Sequence, residues 1–207
     1  MASPFVSAVA SLATVATLAA CNETRCEPIT IRPGLAIGSA RLGATSGDVE
    51  AWLGPPQVRS SIADAPRNAF TGQISEAEAA VTEMLLFSEP CFTLLVIARR
   101  DTVVTAQIAG VRDPSTIVTA DLPGIHPGQF YTEAQFTPLQ HPSTRTRHPE
   151  TEAQMRREGA VQGDVEYYSY VFDNVGLVVG VVFDHARRES GEPWIGVQSV
   201  SVVQRRR

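Results

Sequence analysis

Lysine is missing altogether. All 17 positive side chains are arginine, set against 22 acidic ones, for a formal net charge of −5. That balance argues against nucleic acid as a partner, which requires a basic face. The arginine bias itself assigns no partner. A hydrophobic fraction of 43% with 19% charged residues excludes a disordered chain and fits a folded protein.

Catalytic signatures are also missing. There is no Gly-x-Ser-x-Gly elbow, and His126, His141, His148 and His185 fall into no HxH or HExxH spacing. No CxxC pair is present, so a cysteine zinc site is not expected. The glycines at 38, 43, 47 and 54 do not form a phosphate-binding loop. The close acidic pairs Asp48/Glu50 and Glu76/Glu78 are two apart, a spacing that does not share a helix face. The expectation is therefore no catalytic residue, no cofactor and no metal. A secreted hydrolase stays open as an alternative that needs the histidines to converge with carboxylates.

Charge is absent from Met1 to Ala20, and Phe5 to Ala20 is apolar or small. A helix of those 16 residues rises about 24 Å, short of the roughly 30 Å hydrocarbon core of a bilayer. The stretch suits the h-region of a signal peptide better than a permanent span, although its n-region carries no Lys or Arg. It ends at Leu18-Ala19-Ala20-Cys21, and polar Asn22-Glu23-Thr24-Arg25 follow. These four residues resemble the lipobox of bacterial lipoproteins. The resemblance implies a leader cut before Cys21, acylation of the Cys21 thiol and attachment to a membrane through that lipid. By the same resemblance, Asn22 after the cysteine favours a periplasm-facing site on the outer membrane. A single acyl chain holds only marginally, so a stable anchor takes two or more.

Three cysteines are present, at 21, 26 and 91. With Cys21 carrying lipid in an oxidising compartment, Cys26–Cys91 is the simplest disulfide. The alternative is a free core thiol at Cys91 and an idle Cys26.

The organisation expected is a signal peptide over 1–20, a lipidated tether over 21–34, a first α+β module over 35–113 and a second over 114–207. Thr45 or Ser46 is a good N-cap, and Val49, Trp52 and Leu53 share one helix face. Gly54 stops that helix before Pro55-Pro56. Residues 58–61 read as a strand, and 75–83 is read as a helix or the lead-in to a strand. Residues 84–87, 92–98 and 103–109 read as an antiparallel meander. In the second module, 131–136 is expected to form a helical turn, and 137–164 a long polar loop with a short helix near 152–158. Strands follow at 165–172, 176–183 and 195–203, the last two joined by a charged connection over 184–193. Pro33-Gly34-Leu35-Ala36-Ile37-Gly38 is echoed ninety positions later by Pro123-Gly124-Ile125-His126-Pro127-Gly128. Short helices packed on an antiparallel sheet, possibly in two tandem related halves, are thus expected; a single continuous sheet is the alternative.

Ile37-Gly38, Leu42-Gly43, Val49 and Leu53-Gly54-Pro55-Pro56 resemble the SmpA/BamE-like and beta-lactamase-inhibitor-like lipoprotein modules. That resemblance implies a non-catalytic role in assembly or interaction with a protein partner, or else an inhibitor or immunity protein against a secreted enzyme or toxin. Tyr167, Tyr168, Tyr170 and Trp52 are the candidate partner surface, since aromatics are enriched at interaction hot spots. Covering a sheet is the ordinary alternative for the three tyrosines, with 168 and 170 on one face and 167 on the other.

Overall fold

A computed structural model describes residues 26–64, 76–120, 125–132, 135, 142–159, 163–189 and 192–205. The leader over 1–20, Cys21 and His141 lie outside the described residues. The chain is mixed α+β, mostly antiparallel sheet with a few short helices.

A first meander is built by β4 (Val58–Ser61), β5 (Thr82–Ser88), β6 (Thr93–Arg99) and β7 (Thr102–Ala109). A second is built by β10 (Thr144–Arg147), β11 (Val165–Phe172), β12 (Leu177–Glu189) and β13 (Glu192–Val203). They join through β7 and β13, which pair antiparallel with Ile108 opposite Val200 and Ala106 opposite Val202. The result is one nine-stranded sheet ordered β10-β11-β12-β13-β7-β6-β5-β4, with β9 (Phe130–Tyr131) pairing on β13.

The two meanders share a register. Phe87, Leu94 and Ile108 form one cross-strand row, and Phe172, Leu177 and Val202 form its counterpart. The next rows are Leu85–Val96–Ala106 and Tyr170–Val179–Val200. After them each meander breaks register at a bulge, between Ile97 and Ala98 in one and Gly180 and Val181 in the other. All of these row residues are buried, as period-two alternation requires of a sheet with one face on the core. A further correspondence lies upstream of the strands. Gly43 N–H donates to Val103 O and Val103 N–H to Ala44 O, while Gly128 N–H donates to Val197 O and Val197 N–H to Gln129 O. Gly128 therefore plays the backbone part of Gly43, eighty-five positions earlier, rather than that of Gly38 in the ninety-residue echo.

The core face is covered by a four-stranded sheet ordered β3-β2-β1-β8. Its strands are β1 (Ile29–Arg32), β2 (Ala36–Ile37), β3 (Ala40–Arg41) and β8 (Ile117–Thr119), with β1 and β8 parallel. Helix α1 (Ser46–Leu53) joins this layer. Ile29, Ile31, Ile37, Val49 and Ile117 carry it into the same core. The expected tether over 21–34 is thus partly core strand, because Ile29 and Ile31 alternate inward.

Helix α1 starts where expected. Thr45 is its N-cap, closing a capping box with Asp48: Asp48 N–H donates to Thr45 Oγ1 (3.2 Å) and Thr45 N–H to Asp48 Oδ2 (2.9 Å). The Thr45 N–H, together with the Thr45 hydroxyl donating to the same Asp48 Oδ2 (2.9 Å), holds the Asp48 carboxyl below its ordinary range. The helix expected over 75–83 shrinks to α2 (Glu76–Ala79), because Thr82 already pairs with Arg99 in the sheet and its hydroxyl donates to Glu78 O (2.6 Å). The polar loop over 137–164 contains edge strand β10 and helix α3 (Pro149–Arg157). The 184–193 connection is strand up to Glu189 and again from Glu192, with the register shifting between Asp184 and Arg188. Tyr131 closes β9 against Ile195, and a turn within the expected 131–136 stretch starts at Thr132, whose carbonyl accepts the Gln135 N–H (3.0 Å); residues 133, 134 and 136 lie outside the described residues. No helix among the described residues is long and apolar enough to cross a membrane.

Candidate functional site

The corner formed by α1 and the β5–β6 turn contains the first set of expected residues. Cys26 and Cys91 are disulfide-bonded, with Cα atoms 5.7 Å apart. The bond fastens the segment preceding β1 to the turn between Ser88 and Thr93. Trp52, on the last turn of α1, stacks on Phe92 next to Cys91, with ring centroids 6.4 Å apart and planes 21° apart. The indole lies directly over Gly38, where a Cβ would come within 2.4 Å of Trp52 Cη2. Glycine at 38 is thus required by the close approach as well as by its φ of +55°. Trp52 and Leu53 are half-buried and pack on the main core.

The tyrosines of β11 are divided by the pleat as expected; Tyr170 is buried, while Tyr167 and Tyr168 are half-buried. Tyr170 is 6% exposed and sits in the core row with Val179. Tyr168 is half-buried beneath the guanidinium of Arg145, which lies 3.9 Å from the ring centroid. Its edge meets Phe183 at 5.4 Å, and its hydroxyl donates to Glu166 at 3.0 Å. Burial, followed by the Glu166 carboxylate, raises the Tyr168 pKa. On the other face, Tyr167 crosses Gly180 and hydrogen bonds to Ser199, and burial raises its pKa too. The most exposed element around Tyr168 is Arg145, a residue that composition and pattern did not single out.

Below Arg145 lies an ionic clamp. Arg147 Nε and Nη2 donate to Glu152 Oε1 (2.9 Å) and Oε2 (3.1 Å), and its Nη1 is 2.9 Å from Glu166. Glu152 is only 3% exposed and also accepts the Tyr167 backbone N–H at 2.9 Å. The Arg147 hydrogen bonds hold the Glu152 carboxyl below its usual range, and the same contact raises the Arg147 pKa. The clamp thereby docks α3 on β11.

The histidines of the hydrolase alternative go to separate places. His126 Nδ1 contacts Ile117 O (2.7 Å), and His185 Nε2 lies 3.5 Å from Glu166 Oε2. His148 Nε2 is 2.8 Å from Ser169 Oγ, and its Nδ1 is 3.3 Å from Glu150 Oε1. That is the hydrogen-bond order of hydroxyl, base and acid, on a half-exposed ring immediately before α3. Among the described residues no three His, Cys, Asp or Glu side chains are grouped to hold a metal ion.

The face of the large sheet opposite the core carries a row across six strands: Leu86, Leu95, Gln107, Ser201, Val178 and Val171. All six are half-buried, apolar at both ends and polar in the middle.

No protein-family model matches the chain. No curated protein matches it either. Two solved structures show a loose likeness. One is a cysteine-rich secretory protein from Staphylococcus aureus, 13% identical over 86% of this chain and 47% of that one, with a TM-score of 0.40. The other is an extracellular protein containing an SCP domain from Bacillus anthracis, 14% identical over 79% of this chain and 44% of that one, with a TM-score of 0.35. The chain spans less than half the length of either.

Proposed function

We propose that this chain is an exported lipoprotein, anchored through lipid on Cys21 at the periplasmic side of the outer membrane, where it serves as a non-catalytic interaction or assembly module. The observation that carries the reading is the Cys26–Cys91 disulfide, five residues after the lipobox cysteine. Such a bond persists in oxidising, exported compartments. The interaction role draws on the half-buried row over the open sheet face, which has the mixed character of a partner-facing surface. The two meanders are read as related copies, on the strength of their shared rows, bulges and glycine bonds. Palmitate labelling of wild type, abolished in Cys21→Ser, is the expected result for the anchor. Photo-crosslinking from position 107 in intact cells is expected to yield one reproducible protein adduct. An unlabelled wild type, or only scattered adducts, would count against the corresponding half of the proposal.

One observation favours a second reading, that of a secreted hydrolase: the Ser169–His148–Glu150 trio. A serine-directed fluorophosphonate that modifies wild type but not Ser169→Ala would support it. An unmodified wild type would remove it.

A further inference from the structure

We propose that the corner formed by α1 and the Cys91 turn faces the lipid surface, with Trp52, Leu53 and Pro90 held against the headgroups and the Asp101 and Gly176 turns pointing away. The inference rests on the reading that Cys21 is lipidated, and adds to it an orientation that no anchor alone dictates.

Leash length is the first argument. Cys26 follows Cys21 by five residues, which reach at most about 18 Å fully extended. Because Cys26 is bonded to Cys91, that limit applies to the β5–β6 turn itself. Without the bond, the first residue fixed in the sheets would be Ile29, whose leash of eight residues reaches about 28 Å. The disulfide thus pulls one end of the fold toward the bilayer.

The second argument is the composition of that end. Helix α1 starts at the opposite turn, where Ser46 bonds Asp101, and ends with Trp52 on Phe92. It therefore delivers its C-terminal apolar side chains to the tethered end. A shallow groove of about 260 Å³ beside the disulfide is lined by Pro28, Trp52, Leu53, Pro90 and Phe92, with Glu27 and Glu89 also on its walls. Tryptophan favours the headgroup region, where its ring is sheltered and its N–H stays wet. Carboxylates at the same place disfavour anionic lipid, so the surface that fits is zwitterionic. At the far end, Gly34 N–H donates to Gly176 O (3.0 Å), and neighbouring Leu35 is 58% exposed.

The test uses the full-length acylated protein in phosphatidylcholine vesicles whose acyl chains carry bromine, a short-range quencher of indole. Trp52 is read in Trp194→Phe, and the far end in Trp52→Phe/Trp194→Phe/Leu35→Trp. Gly38, under the Trp52 indole, is three residues from position 35, a span of at most about 11 Å that runs along β2 away from the Cys91 turn, so Trp52 is expected to be quenched about twofold more than the indole at position 35. Equal quenching, or more at position 35, in protein that floats with the vesicles overturns the orientation and leaves the lipid reading standing. Protein that does not float removes the lipid reading and the orientation with it. Inserting about 20 Gly/Ser residues between Thr24 and Arg25 spares the disulfide and slackens the leash, and is expected to bring the two signals together. An unchanged contrast in that variant would also overturn the proposal.

Discussion

The two meanders of the large sheet have the same backbone plan and different fastenings. In the first, the edge strand is held by Arg59, which pairs with Glu50 of α1 and with Glu83 at 3.2 Å, all at exposed or half-exposed positions. Its other fastening is covalent, at Cys91. In the second, Arg145 occupies the place of Arg59 but lies over aromatic rings, and Arg147 reaches a buried carboxylate on α3. The inner rows nevertheless match, with Phe87 and Phe172, Leu94 and Leu177, and Val96 and Val179 in corresponding places. Register is thus set by the buried rows and the bulge, while each edge takes whatever clamp its own chemistry allows.

The sharpest way to break this comparison is to remove the matched aromatics. Phe87→Ala and Phe172→Ala are each expected to cost about 3–5 kcal/mol in urea unfolding. If one cost less than half the other, the two rows would not be equivalent packing sites. Opening the disulfide should act on the first meander alone. Cys26→Ser/Cys91→Ser is expected to lose up to about 4 kcal/mol, from a loop spanning 65 residues of sequence separation. Hydrogen exchange would then show β5 and β6 deprotected ahead of β11 and β12.

Smaller effects distinguish the second meander. A Cβ at position 180 would lie 2.1 Å from the Tyr167 hydroxyl and 2.5 Å from that of Ser199. Gly180→Ala should therefore cost about 1–3 kcal/mol, and less when combined with Tyr167→Phe. Glu152→Leu orphans the Tyr167 backbone N–H, at about 1–3 kcal/mol, and should loosen α3 as seen in amide exchange. The smallest effect is the response to acid. Arg147 holds the Glu152 pKa down, so its stabilisation is present above the unfolded value of about 4.3 and is lost as pH falls through the lower folded value. Glu152→Gln is expected to flatten the fall of Tm in that acid range; an identical slope would show that the clamp does not act on stability.

Elements with a strong local signal were legible from sequence. Thr45, Asp48, Val49 and Gly54 place α1 by capping and spacing, and the β-branched run at 93–99 and the aromatic one at 165–172 declare strands. The covering layer was not legible, because β2, β3 and β9 are two residues long, too short for any period to show. Ile29-Thr30-Ile31 did carry an alternation that could have found β1. Strand β10 is all polar and exposed, so no hydrophobic pattern marks it, and only its pairing with β11 makes it a strand. The tyrosines were found but their surroundings were not. Arg145, Glu152 and Ser199 come from distant parts of the chain, and only the fold brings them to β11.

The most direct test of the account is a non-reducing peptide map of the full-length protein isolated from membranes, read by mass. A linked pair of peptides joining Cys26 to Cys91, with an acylated N-terminus beginning at Cys21, is the predicted result. A leader still attached to an unmodified Cys21, or a bridge using Cys21 in place of Cys26, would contradict it.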